Sequence, residues 1–143
     1  MKEKHGITAI IFNERNGKRY FLLLHRAMNW KGWEFCKGGI EGTEKPEESL
    51  LREIEEETGL KTIQVIAKLP DKISWSSKGM KYIYTPFILR GTMDDKVDLH
   101  QEIIEHDAFR WVEEKEVERM LTHIDNKKVF NEAIQYLSKN KWQ

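Results

Sequence analysis

Residues 38–60, GGIEGTEKPEESLLREIEEETGL, concentrate negative charge in a chain that carries none overall. Between positions 41 and 57 stand eight acids and two bases, Lys45 and Arg52, while the whole sequence balances 24 Lys and Arg against 24 Asp and Glu. A glycine turn leads in, Pro46 stands where a first helical turn tolerates proline, and Gly59 stands where a helix stops, so the spacing predicts a helix over 46–58. Lys45 is a weak residue for the N-cap, and Thr43 is the alternative. At about 100° per residue, Leu50, Leu51 and Ile54 share one stripe. Glu53, Glu56 and Glu57, at i, i+3 and i+4, share the next. Like charges held this way repel by about 4 kcal/mol per pair at roughly 4 Å and an effective dielectric of about 20. Arg52 reaches Glu56 four residues on and offsets one of them, not three. A solvated acidic face is the reading that composition alone favours. A divalent cation relieves the same repulsion, and hard oxygen ligands suit magnesium or manganese.

The order of residues narrows the choice. Gly38 is followed after five residues by Glu44, then after seven by Arg52-Glu53-Ile54, then Glu56-Glu57 and Gly59-Leu60 with one residue between each group. At every fixed position this resembles the signature of the Nudix hydrolases, enzymes that cleave a nucleoside diphosphate linked to another moiety. The resemblance implies an α/β fold, an α/β/α sandwich with a mixed β-sheet. It also implies a metal site in which the Gly38 carbonyl joins Glu53, Glu56 and Glu57. Glu44 and Arg52 are expected to stand behind these ligands, Arg52 fixing the orientation of Glu56.

Two further runs resemble the diadenosine tetraphosphate hydrolases of that family. Trp33-Glu34-Phe35-Cys36-Lys37-Gly38 matches their tryptophan, acid, phenylalanine, proline, lysine, glycine run, except that Cys36 replaces the proline. Thr43 is a second departure, where many relatives carry glycine. EHDAFRW, residues 105–111, resembles the loop from which those enzymes bring a glutamate to the metal. The resemblance thus implies Lys37 and Arg26 against substrate phosphates, and Glu105 as a further ligand. Family members differ in which glutamate deprotonates water. Glu53 and Glu56 in the helix, and Glu102 and Glu105 in the loop, are the candidates, with Glu105 favoured. A purine needs a flat partner, and Tyr82, Tyr84, Phe87 and Trp30 are candidates, although aromatic residues in strands mostly build cores. His106 is assigned no role. Cys36 reads as a small apolar filler, since nothing near it in sequence marks a nucleophile.

The activity these residues imply is magnesium-dependent hydrolysis of a dinucleoside polyphosphate, most directly a diadenosine polyphosphate, to two mononucleotides. Related Nudix substrates, ADP-ribose, a nucleoside triphosphate or a capped RNA end, are the alternatives within the class. A Nudix-fold module that binds a nucleotide without cleaving it is the alternative outside it, and such a relative would be expected to lose acids that this chain keeps.

Composition bounds the remainder. The 143 residues, 39% hydrophobic and 34% charged, suit one domain spanning 1–143 with a charged surface. Zero net charge argues against bulk nucleic-acid binding. The absence of long apolar runs argues against a membrane span or leader. The single cysteine fits a reducing cytoplasm. Monomer and homodimer stay open. Apolar periodicity predicts strands over 5–12 and 20–25, joined by a somewhat long loop at 13–18, and further strands over 63–69, 82–89 and 108–112. Pro86 suggests an edge or bulge in the fourth of these. Residues 73–81 read as a turn or loop and 91–100 as an acidic loop. Helices are expected over 113–121 and 125–138, the second capped by Asp125.

Overall fold

Apolar residues on both faces of a strand require cover on both sides. Residues 2–99 and 105–140, the part of the chain that the computed structural model describes, meet that demand with eight strands and three helices. In order they are β1 (Lys2–Arg15), β2 (Lys18–Arg26), β3 (Gly32–Glu34), β4 (Cys36–Gly39), α1 (Pro46–Thr58), β5 (Gln64–Lys68), β6 (Ile73–Ser77), β7 (Met80–Arg90), β8 (His106–Glu113), α2 (Glu114–Met120) and α3 (Ile124–Lys139). The sheet runs β3-β2-β1-β7-β5, with β8 added to β2, β4 to β1 and β6 to β7. β1 is parallel to β7 and antiparallel to β2 and β4, which makes the sheet mixed.

Alternation along β1 divides the core. Ile7, Ala9 and Ile11 pack with Leu22, Leu24, Leu50 and Ile54 on the α1 side. Ile10 and Phe12 pack with Phe21, Leu23, Val117, Phe130 and Leu137 on the α2 and α3 side. Helices thus cover both faces, the α/β/α sandwich expected. No described helix is long and apolar enough to cross a membrane.

Several local expectations change. The β1–β2 connection is a two-residue turn, Asn16-Gly17, with φ of 55° and 75°. Positive φ at both central residues matches the twist of the flanking strands, so no longer loop is needed. Residues 73–77 form β6, which pairs with β7 from Ile73↔Tyr84 to Ser77↔Met80; only Lys78-Gly79 turns. β7 lies inside the sheet. Its partner changes from β6 at Tyr84 to β5 at Phe87, and Pro86 falls in the gap between them. Leu69 N–H donates to the Pro86 carbonyl at 2.9 Å. Backbone N and O of one strand residue face the same side, so the donor that proline lacks also points into that gap. The bulge lies in β5, between Val65 and Ala67. α3 starts at Ile124 with His123 at the cap position, which places Asp125 in the first turn, where its charge complements the helix dipole.

α1 has the expected bounds. Lys45 is its N-cap, the Lys45 N–H donating to Glu48 Oε1 at 3.1 Å, and Gly59 closes it at φ 72°, donating its N–H to the Glu55 carbonyl at 2.9 Å. The buried stripe is rotated from the one expected. Leu51 is 51% exposed, and Glu53 and Glu57 turn inward beside Leu50 and Ile54. That rotation builds the site.

Candidate active site

Burying Leu50 and Ile54 forces Glu53 and Glu57 against β4, because all four lie on one face of α1. β4 alternates: Cys36 joins the core on the α1 side, the Lys37 ammonium reaches the Trp75 ring, and Gly38 turns its Cα to α1. A Cβ on Gly38 would overlap the Glu53 carboxyl group, so that carboxyl lies directly on the glycine. Glu56 stands at the rim, its side chain 57% exposed.

Arg52 organises the outer part of this acid group. Its Nε and Nη2 donate to the two carboxyl oxygens of Glu44 at 2.8 and 3.0 Å, and Nη2 also reaches the Gly39 carbonyl at 3.0 Å. Nη1 bridges Glu53 Oε1 at 2.9 Å and Glu56 Oε2 at 3.0 Å. The Arg52 hydrogen bonds hold the Glu44 carboxyl below its ordinary value. Burial pushes the Glu53 carboxyl up to about 7, Arg52 opposing the rise and Glu56 adding to it. Burial pushes Glu57 further, to about 9, with Glu53 and then Glu105 contributing. Its hydrogen-bond partner is the buried Cys36 thiol, which donates to Oε2 at 3.5 Å. The Tyr84 phenol rises to about 12, through burial and then Glu53.

These observations test the donor set for a metal. Glu57 is a buried carboxylate with no cationic partner among the described residues, and Glu53, Glu57 and Glu105 each raise the cost of ionising a neighbour. A hard divalent cation removes that cost, so the residues fit magnesium or manganese. Among the described residues no three His, Cys, Asp or Glu side chains are converged on one point. Arg52 Nη1 stands between Glu53 and Glu56, supplying there part of the positive charge.

The other expected residues lie on several elements around β4. Arg26, at the end of β2, donates from Nε to the Met28 carbonyl at 3.0 Å, and its Nη1 lies 3.7 Å from Glu105 Oε2. Lys37 Nζ lies 4.8 Å from the centre of the Trp75 ring. Trp75 and Tyr82 are cross-strand partners whose rings stack at 5.1 Å and 11°. Tyr84 lies beneath them, its ring 4.8 Å from Trp75, and is itself core. Phe87 packs on the opposite face, in the α1-side core, and Trp30 packs edge-on against His123. Glu102 lies outside the described residues.

Three residues here were not singled out from the sequence. Trp75 was hidden by a serine-rich setting that reads as loop. Glu34, noted only within a motif, is fully buried, and His106, given no role, is 1% exposed. His106 Nε2 donates to Glu34 Oε2 at 2.7 Å. The acid in WEFCKG and the histidine in EHDAFRW were the available signals, but a pairing across 72 positions leaves no local trace.

Comparison with known proteins identifies the family and the fold. The NUDIX domain family matches residues 3–133. An RNA pyrophosphohydrolase of Nitratiruptor sp. is 27% identical over 144 residues, covering 94% of this chain and 92% of that protein. Among solved structures, an Ap4A hydrolase binary complex from C. elegans superposes with a TM-score of 0.84 at 18% identity, covering 95% of this chain and 98% of that one. The NUDIX domain of Shewanella oneidensis NrtR, complexed with ADP ribose, gives a TM-score of 0.74 at 16% identity, covering 96% and 90%. The two structural likenesses are of fold.

Proposed function

The chain belongs to the NUDIX domain family, and from that premise we propose that it hydrolyses a phosphoanhydride bond of a 5′-polyphosphorylated nucleoside, a diadenosine polyphosphate before others. The observation that carries this reading is the arrangement along β4. The Gly38 backbone meets Glu53 on one face, and one residue earlier Lys37 meets Trp75 on the other. A base stacked on Trp75 and Tyr82 would lead its phosphates past Lys37 and Arg26 toward the acids of α1.

Glu53, Glu56, Glu57 and Glu105, with the Gly38 carbonyl, would hold a divalent cation, which when bound neutralises phosphoryl oxygens and acidifies water. The chain's own residues do the rest. Lys37 and Arg26 place positive charge against phosphates of the bound chain away from the bond that breaks. Glu105 takes the proton from the attacking water. The new bond joins the water oxygen to one bridging phosphorus, and the anhydride oxygen leaves with the other nucleotide. One copy of the chain supplies every residue invoked. The expected setting is the cytoplasm, with a small nucleotide as partner.

A second reading is favoured by the Nitratiruptor relative, whose RNA pyrophosphohydrolase name comes with matched coverage of nearly the whole chain. It places the 5′ end of an RNA in the same site. Turnover of diadenosine tetraphosphate, ADP-ribose, nucleoside triphosphates and a 5′-triphosphorylated RNA, each with magnesium, decides between them. Diadenosine tetraphosphate is expected to give the highest kcat/KM. A preference of about tenfold or more for the RNA, or for ADP-ribose, overturns the substrate choice. Tight binding without product from any of them overturns the enzyme reading in favour of a binding module.

The aromatic pair has its own test. Base stacking contributes about 1–3 kcal/mol per base, so Trp75→Ala is expected to raise KM for a diadenosine substrate by about tenfold or more. The inhibition constant of inorganic pyrophosphate, which has no base, should stay near the parent value. An equal change in both would place Trp75 outside base recognition.

A further inference from the structure

The Lys37 and Arg26 cations share one anchor. The Glu34 side chain is 1% exposed, with Oε1 3.2 Å from Lys37 Nζ and Oε2 3.5 Å from Arg26 Nη1. Oε2 also accepts the His106 Nε2–H at 2.7 Å. Burial alone would raise this carboxyl; the His106 hydrogen bond and the charges of Lys37 and Arg26 instead hold it below its ordinary value, so it is an anion. A buried ion pair is weak support for stability, because an apolar group of similar volume often serves as well or better. Its retention therefore points to what it orders.

What it orders is a set of groups from separate elements. Lys37 comes from β4 and also stands over the Trp75 ring. Arg26 comes from β2 and lies 3.7 Å from Glu105. His106 opens β8, directly after Glu105, and is paired in register with Arg26. The Glu105 carbonyl accepts the Ala27 N–H at 2.8 Å. Both cations and the backbone that carries Glu105 thus converge on one carboxylate that is itself sealed from solvent and from substrate.

We propose that Glu34 is a positioning residue: its two oxygens set the separation of the Lys37 and Arg26 cations so that they meet successive phosphates of one polyphosphate chain. This rests on the phosphoanhydride reading above. Glu34 does not touch the substrate. It acts by keeping two long, flexible cations from turning to solvent, which lowers the ordering they must undergo when a phosphate arrives.

Glu34→Gln keeps the volume and the hydrogen bond to His106 while removing the charge. With diadenosine tetraphosphate and magnesium, KM is expected to rise by about tenfold with kcat within about threefold of the parent. Lys37→Gln should raise KM similarly, and the double variant should add little, because both remove one interaction. Manganese affinity, which reads Glu105 as well as the acids of α1, should not change, because the His106 hydrogen bond that fixes the start of β8 is kept. An unchanged KM, or KM effects that multiply in the double variant, overturns the proposal and leaves Glu34 a clamp between β3 and β8. Should Glu34→Gln not fold, Glu34→Asp keeps the charge and shortens its reach; the same KM rise supports the proposal and a parental KM overturns it. If the parent hydrolyses nothing, the phosphoanhydride reading fails. Calorimetric affinity for inorganic pyrophosphate then carries the Glu34 test, a loss of about tenfold supporting it and parental affinity overturning it.

Discussion

Glu57→Gln is expected to fold more stably than the parent in a chelating buffer and to turn over substrate about a hundredfold more slowly, or worse. Both effects have one cause. Glu57 is 5% exposed, and its carboxyl is pushed from an ordinary 4.5 up to about 9 by burial and by Glu53 and Glu105. A carboxyl whose value is raised by folding binds its proton more tightly in the native state. The stability this contributes is complete below 4.5 and is lost as pH rises toward 9. The metal-free parent should therefore lose up to about 1.4 kcal/mol per pH unit from this one group. Glutamine has the shape of the protonated acid and no charge to lose, so the variant's slope is flatter. Urea denaturation at about pH 6 and about pH 8.5 in chelator reads the difference. Magnesium should stabilise the parent by mass action and the variant much less. Glu56→Gln, at the exposed rim, should lower turnover without the gain in stability. A parent with no pH slope, or a Glu57→Gln chain less stable than the parent, would show that these acids are not in conflict.

The same helix shows how far the linear pattern reached. Its ends were legible because proline and glycine are local chemistry, while the Lys45–Glu48 contact that makes Lys45 the N-cap was not read. Its rotation was not. Leu50, Leu51 and Ile54 make an acceptable stripe by spacing, yet the sheet accepts Leu50 and Ile54 and leaves Leu51 half exposed. Spacing could group Glu53, Glu56 and Glu57 without telling which two are inside. The strands show a similar division. An apolar run such as 5–12 declares a two-sided strand, and cover on both faces follows from that. β6 is polar and sits at the sheet's periphery, so its only strong signal was the Trp75–Tyr82 pairing that the hairpin creates.

The site residues fall along the same line. Lys37 and Gly38 are adjacent in sequence and were both named, while the reason they matter together, opposite faces of a four-residue strand, comes from pairing with β1. Glu34 and His106 stand in motifs but meet only because β3 and β8 both flank β2. A buried ion pair of that kind is a product of topology. Composition could balance the chain's charges but not place two of them in contact.

Gly38→Ala should cost the enzyme about a hundredfold in turnover or more while its stability stays within about 1 kcal/mol of the parent. The added Cβ would overlap the Glu53 carboxyl, and the strand cannot retreat to make room, because Ile7↔Gly38 is part of the β1–β4 ladder. Behind that ladder Gly6 is just as tight: a Cβ there would lie 2.5 Å from the Gly38 carbonyl oxygen. The Glu53 side chain is the softer partner and must swing away. Doing so relieves a buried carboxyl already pushed up to about 7, which offsets the strain of repacking. What is lost is the placement of one acid among several that must act together. Gly39 is the internal control. A Cβ there meets nothing within 4 Å and its backbone requires no left-handed conformation, so Gly39→Ala should keep turnover within about threefold. Steady-state turnover and urea midpoints for the two variants measure the contrast. Equal damage from both would mean that the pair serves the turn into α1; damage confined to Gly38 means that it serves as the floor beneath Glu53.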